Sequence, residues 1–124
     1  MPMKDLIMII DDDPGIKLAF EKVLTGEDFL IATSSNSERL IDLIGSKKPR
    51  VVILDMKMPG YSGADLLRKI KKSNRKLPVI IMTAYSNMFT EKDAKMLGAD
   101  AYLKKPFEIN VMLSKLRSLV NEQN

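Results

Sequence analysis

Apolar runs recur along the chain at Leu6 to Ile10, Phe29 to Ala32, Val51 to Leu54, Val79 to Met82 and Ala101 to Leu103, and each is followed by a stretch with helical spacing. Short, branched runs of this kind read as strands buried on both faces, as in the middle of a parallel sheet. Their alternation with helical segments is what repeated βα units need, and it predicts an α/β fold of five parallel strands and five helices. The third run stops at Asp55, and Pro59 and Gly60 make a turn soon after it. Asp55 is therefore expected at a strand-to-loop junction near solvent. A carboxylate there either caps a turn or does chemistry, because burying it unpaired is costly.

The helical segments carry their own start and stop signals. Asp13 as N-cap and Pro14 at the first helical position open the first, with Ile16, Ala19, Phe20, Val23 and Leu24 on one face and Gly26 at its end. Ser35 and Glu38 fit a capping box before Leu40, Ile41 and Ile44, with a stop expected at Gly45. A third helix is expected from Ser62 or Gly63, burying Ala64, Leu67 and Ile70. The fourth, from about Asn87 to Leu97 with Gly98 as its stop, has few apolar positions and should be the least firmly held. The last is expected from about Glu108 to Val120, with Ile109, Met112, Leu113, Leu116 and Val120 in a stripe.

Composition narrows the chemistry. The 124 residues suit one domain spanning 1–124, and 45% hydrophobic with 29% charged content is ordinary for a soluble globular chain. Without cysteine or histidine, disulfides, thiolate sites and the usual zinc ligand and general base are excluded, so any metal must be held by oxygen. Leu6 to Ile10 is too short to span a bilayer and runs into three aspartates, so no membrane association and a cytoplasmic location are expected. With a net charge of +4, Lys47, Lys48, Arg50, Arg68, Lys69, Lys71, Lys72, Arg75 and Lys76 fall at the ends of two predicted helices and in the loops after them, where cations complement the helix dipole. This reading is preferred to a nucleic-acid or acidic-partner patch, and no direct nucleic-acid binding is expected.

The residues at the strand ends are the informative ones. Asp11 and Asp12 come directly after the first strand, Asp55 after the third, Thr83 after the fourth, and Lys105 closes the fifth. In a parallel sheet all carboxyl ends share one edge, and with strand order 2-1-3-4-5 a crevice opens between strands one and three, with Asp11, Asp12 and Asp55 on its walls. Carboxylates that close repel, by on the order of 3 kcal/mol for a pair ~5 Å apart at an effective dielectric constant of ~20. A hard divalent cation such as Mg²⁺ is the natural compensation, and Lys105 supplies a second positive charge able to reach Asp55 or an anion on it. Carboxylates, Mg²⁺, an ammonium and a hydroxyl on one edge suit phosphoryl transfer to Asp55 as nucleophile. Taken singly, Asp11 to Asp13 is equally a helix-capping acidic turn, Thr83 a strand former and Lys105 a surface lysine.

The segments Ile-Ile-Asp-Asp-Asp-Pro-Gly, Val-Ile-Leu-Asp-Met-Lys-Met-Pro-Gly, Ile-Ile-Met-Thr-Ala-Tyr and Leu-Lys-Lys-Pro-Phe, in this order and spacing, resemble the receiver domain of response regulators in bacterial two-component and phosphorelay signalling. The resemblance implies a flavodoxin-like (βα)5 three-layer sandwich. It implies that Asp55 accepts a phosphoryl group from a histidine kinase or histidine phosphotransferase. It further implies that Asp12 and Asp55 bind Mg²⁺ directly, Asp11 mostly through water, and the main-chain carbonyl of Lys57 completes the set. Thr83 would bond a phosphoryl oxygen and Lys105 would pair with the group. Tyr102 matches the aromatic that turns inward when Thr83 moves, and Ala84 leaves access for the incoming group.

The implied output is a repacked face of the fourth helix, fifth sheet strand and fifth helix that binds an effector domain or protein, with dimerisation on phosphorylation as an open option. The resemblance makes the protein a signalling phosphoacceptor, not a turnover enzyme. The alternative is an aspartyl-phosphate phosphatase or phosphotransferase, which usually needs a second carboxylate two residues past the nucleophile, where this chain has Lys57. A scaffold of the same fold that never carries phosphate would be expected to lose Asp12, Asp55 or Lys105, and an NTP-binding module would need a Gly-rich phosphate loop that is absent. Ser62 departs from the aspartate frequent at that place in the family, a change that touches helix capping. Bulky Lys57 and Tyr85 near the site suggest a long-lived phosphoryl state.

Overall fold

The computed structural model describes residues 5–11, 13–27, 29–34, 39–58 and 61–121, with the side chains of 34, 57, 58 and 61 outside that description. In chain order it holds β1 (Asp5–Ile10), α1 (Pro14–Gly26), β2 (Phe29–Ser34), α2 (Leu40–Lys47), β3 (Val51–Asp55), β4 (Lys57–Met58), β5 (Tyr61–Ser62), α3 (Gly63–Ser73), β6 (Val79–Thr83), α4 (Glu91–Met96), β7 (Ala101–Lys104) and α5 (Ile109–Asn121). Five of the strands form one parallel sheet in the order β2-β1-β3-β6-β7, which is the expected 2-1-3-4-5. β4 and β5 add a two-stranded antiparallel ribbon, Lys57 opposite Ser62 and Met58 opposite Tyr61, that no apolar run announces. Among the described residues no helix is long and apolar enough to cross a membrane.

Burial on both faces explains the continuous apolar strands. All five residues of β3 and all five of β6 are buried. Along β1 the side chains alternate: Ile7 and Ile9 join Phe20, Leu24, Met112 and Leu116 in one core, while Met8 and Ile10 join Leu40, Ile44, Leu67 and Ile70 in the other. Helices α1 and α5 therefore cover one face and α2, α3 and α4 the other, which makes three layers. Leu67, fully buried, is typical of the second core, and cutting such a side chain to alanine costs about 2–5 kcal/mol.

The helix boundaries follow the caps. Asp13 caps α1 by accepting the Gly15 and Ile16 amide protons, with Pro14 next, as expected. Ser62 caps α3 by accepting the Asp65 N–H. Ala64 is only half-buried there, and Leu66 takes its place beside Leu67 and Ile70.

Three expectations need correction. Helix α2 does not stop at Gly45 but runs on to Lys47, because Ile44 is packed and the first real obstacle is Pro49. A residue before proline is held out of the right-handed helical region, and Lys48 takes the left-handed conformation with φ 51°. Helix α4 covers only Glu91–Met96, because a capping box between Thr90 and Asp93 starts it and the preceding Met88 and Phe89 amides donate to the Tyr85 carbonyl in a turn. In α5, Ile109 is exposed at 40% while Leu119 is buried, so the stripe begins one turn later than its period suggests. Gly98, at φ 98°, does terminate the α4 region in a conformation that favours glycine. The Ser35–Glu38 capping box lies outside the described residues.

Candidate functional site

The carboxyl ends of the sheet strands define the site. Ile10 and Leu54 are paired across β1 and β3, so the residues that come next, Asp11 and Asp55, emerge side by side. Asp11 is fully buried and Asp55 is 7% exposed, an arrangement that needs counter-charge and hydrogen bonds to persist. Oδ1 of Asp11 accepts the Asp13 N–H at 2.9 Å, which ties the end of β1 to the cap of α1.

The counter-charge is Lys105. The backbone after β7 is held in place by the Lys105 N–H, which donates to the Thr83 carbonyl at 2.8 Å. From there the ammonium donates to Asp11 Oδ2 at 3.0 Å and to Asp55 Oδ2 at 3.1 Å. Burial pulls the ammonium's pKa down, but hydrogen bonds to Asp11 and Asp55 together with their charges outweigh it, and the net displacement is upward. The group is therefore held protonated and shared between the two acids. Expectation placed Lys105 against Asp55 alone, and its bond to Asp11 is an addition that the spacing of residues gave no means to anticipate.

Thr83 ends β6, the neighbour of β3, and is 1% exposed. Its Oγ1 accepts the Tyr85 N–H at 2.9 Å, which leaves its own hydroxyl proton available to an acceptor at the strand edge. Ala84, exposed, lies with Lys105, Pro106 and Phe107 on the wall of a cleft of about 360 Å³ that opens beside the site. The Lys105–Pro106 peptide is cis.

Tyr102 is buried at 6% and its hydroxyl donates to the Phe89 carbonyl, so it ties β7 to the turn before α4. Burial, followed by the Glu91 and Asp93 charges, raises its phenol pKa above the ordinary value. Lys57 lies in β4, two residues beyond Asp55, and only its backbone is described. Asp12 lies outside the described residues. Gly63 was placed only as a helix start, yet a Cβ there would sit 2.7 Å from both Cα and O of Met56. The loop after Asp55 thus presses directly on the first turn of α3.

The donor set bears on the metal. Asp11 and Asp55 present hard oxygens at one edge, and the chain has no histidine or cysteine, which fits a hard cation such as Mg²⁺ and not a soft one. Among the described residues no third carboxylate joins them.

Residues 7–117 match the family model described as the response regulator receiver domain. The sporulation initiation phosphotransferase F of Bacillus subtilis is 34% identical over 108 residues, covering 87% of this chain and 87% of that protein. The DNA-binding transcriptional regulator NtrC of Escherichia coli is 37% identical over 107 residues, covering 86% of this chain but 23% of NtrC. A crystal structure of the response regulator TrrA from Thermotoga maritima in complex with Mg²⁺-BeF superposes with a TM-score of 0.83 at 30% identity, covering 93% of this chain and 98% of that one.

Proposed function

The chain belongs to the response regulator receiver family, and on that footing we propose that Asp55 is its phosphoacceptor, served by Lys105 and Thr83. The observation that carries this reading is the single ammonium shared by Asp11 and Asp55, acids that stand 94 and 50 residues from Lys105 in the chain. In the reaction an Asp55 carboxylate oxygen attacks the phosphorus of a phosphohistidine on a histidine kinase or histidine phosphotransferase. The P–O bond forms as the P–N bond breaks, and the leaving imidazole recovers a proton.

Asp11, Asp12, Asp55 and the Lys57 carbonyl are the groups proposed to hold Mg²⁺. When bound it would neutralise charge developing on the transferred phosphoryl oxygens. Lys105 gives up its bond to the phosphorylated Asp55 and pairs with the phosphoryl group, while Thr83 donates its hydroxyl proton to a phosphoryl oxygen. Ala84 keeps the approach clear. The pull on Thr83 shifts the segment 84–90, whose Phe89 carbonyl is already tied to Tyr102, and so favours one arrangement of α4, β7 and α5 for an effector to bind. Residues 1–124 act in this reading as one receiver unit of a cytoplasmic signalling protein. Lys57, where a phosphatase would place its second carboxylate, argues against repeated turnover.

The test is incubation with acetyl phosphate and Mg²⁺ and then intact mass measurement. One base-labile phosphate adduct, absent in Asp55→Ala, is expected. An adduct that survives in Asp55→Ala, or continuous release of phosphate from a phosphoester, would overturn the assignment.

A further inference from the structure

The opposite edge of the sheet carries a charge pattern that phosphoryl transfer does not use. Because the strands are parallel, every helix-to-strand connection lies there, and β3 and β6 are neighbours, so the turns after α2 and α3 stand side by side. Among the described residues, Asp5 faces Arg50 at 3.7 Å there, Asp100 accepts from Lys71 at 2.6 Å, and Glu27 pairs with Arg117. Lys47, Lys48, Lys72, Arg75 and Lys76 are exposed there, with no ion pair to a carboxylate among the described residues. The carboxyl ends of α2 and α3 offset about half a charge each, which leaves most of this cluster uncompensated.

Lys48 of this cluster lines a cleft of about 490 Å³ between the ends of α2 and α3, and Lys47, Lys72, Arg75 and Lys76 lie within two residues of its lining residues in the chain. Its lining is aliphatic at Ile41, Ile44 and Pro49, with Lys48, Ser73 and Asn74 as polar wall. We propose that this edge is a docking surface for an acidic polypeptide segment that places an aliphatic side chain in the cleft and carboxylates on the lysines and arginine around it. The occupant is argued from charge complementarity together with the lining. Nucleic acid is disfavoured, because no aromatic ring is present for base stacking and a duplex backbone offers nothing apolar to fill the cleft. Packed helices lie roughly 10 Å apart, and an extended chain covers that in about three residues, so acids on both sides of one aliphatic anchor reach both turns.

The probe is a fluorescein-labelled peptide with two leucines flanked on each side by three glutamates, titrated with the wild-type chain at low salt and read by anisotropy. Saturable binding is expected, weakened roughly tenfold or more by Lys48→Glu with Lys72→Glu, and likewise by Lys72→Glu with Arg75→Glu, all at exposed positions. Replacing the leucines by serines should weaken it several-fold. Unchanged affinity in either folded double variant, equal affinity for the serine peptide, or a DNA duplex bound as tightly as the leucine peptide would each overturn the proposal.

Discussion

Removing the Lys105 ammonium without removing its volume, as Lys105→Met, isolates the electrostatics of the site. The ammonium lies 3.0 Å from Asp11 Oδ2 and 3.1 Å from Asp55 Oδ2, with the lysine side chain 17% exposed. At an effective dielectric constant of ~20 each contact is worth about 5 kcal/mol, against which stand the several kcal/mol needed to strip water from the ammonium. Those two distances also hold the Oδ2 atoms within about 6 Å of each other, so their repulsion, on the order of 3 kcal/mol, stands bare once the cation is gone. A loss of about 3–4 kcal/mol at neutral pH is expected, a large part of a total stability of roughly 5–15 kcal/mol. The assay is urea unfolding monitored by circular dichroism, without divalent cations. Adding Asp55→Asn to Lys105→Met deletes one of the two repelling charges and should restore at least about 2 kcal/mol. A Lys105→Met variant within about 1 kcal/mol of wild type, or one that Asp55→Asn fails to rescue, would refute the shared-ammonium account.

Gly63→Ala should destabilise by about 1–3 kcal/mol despite alanine's better helix propensity, since the new Cβ meets Met56 backbone at 2.7 Å; chemical denaturation reads it. Tyr102 should titrate above an ordinary tyrosine when monitored by ultraviolet difference absorbance in a Tyr61→Phe/Tyr85→Phe background. Because its folded pKa is raised, the stability it lends is complete below the ordinary value of 10.0 and is lost as pH rises through the higher folded value. A midpoint at or below the ordinary value contradicts this. Asp93 behaves oppositely. The Thr90 backbone and then side-chain hydrogen bonds lower its pKa, so the support it gives the α4 cap is present above 3.8 and lost as pH falls through the lower folded value. Its carboxyl carbon shift in NMR reports the midpoint, and Thr90→Ala should bring that midpoint back toward 3.8. Tyr85→Ala and Lys57→Ala should shorten the half-life of the phosphorylated protein, and unchanged half-lives in both would remove the shielding idea.

The sheet was legible in the sequence because each strand is buried on both faces, which leaves an uninterrupted apolar run that period alone cannot disguise. The helix ends were less so. Gly45 reads as a stop, but a glycine costs only about 1 kcal/mol inside a helix whose Ile44 is packed, and the restraint that Pro49 places on Lys48 is the stronger signal. The Thr90-x-x-Asp93 box was visible and would have set the start of α4 correctly. Ile109 fits the stripe by period, yet it lies before the helix has closed on the sheet. At the site, strand ends brought Asp11, Asp55 and Thr83 to one edge, because a parallel sheet leaves them no other place. Which acids a long lysine chooses, and which main-chain carbonyl a tyrosine hydroxyl finds, depend on loop paths that no residue pattern encodes.

The same geometry that stabilises the resting site makes it responsive under the proposed function. An ammonium divided between two buried acids is committed to neither, so adding a doubly charged group on Asp55 draws it away from Asp11 without moving the strands. Asp11 then loses the Lys105 ammonium while its Oδ1 still holds the Asp13 N–H at the cap of α1. On the other side, Lys105 N–H is anchored to the Thr83 carbonyl, and Thr83 Oγ1 to the Tyr85 N–H. A shift of either group therefore acts on the segment leading to Phe89 and Tyr102. Helix α4, held by one buried residue and a local capping box, is the element with least to resist that pull. Loosening it further by Ala94→Gly, at its buried position, would leave phosphorylation of Asp55 intact if the coupling runs this way, while enlarging the change in α4 amide exchange that phosphorylation causes.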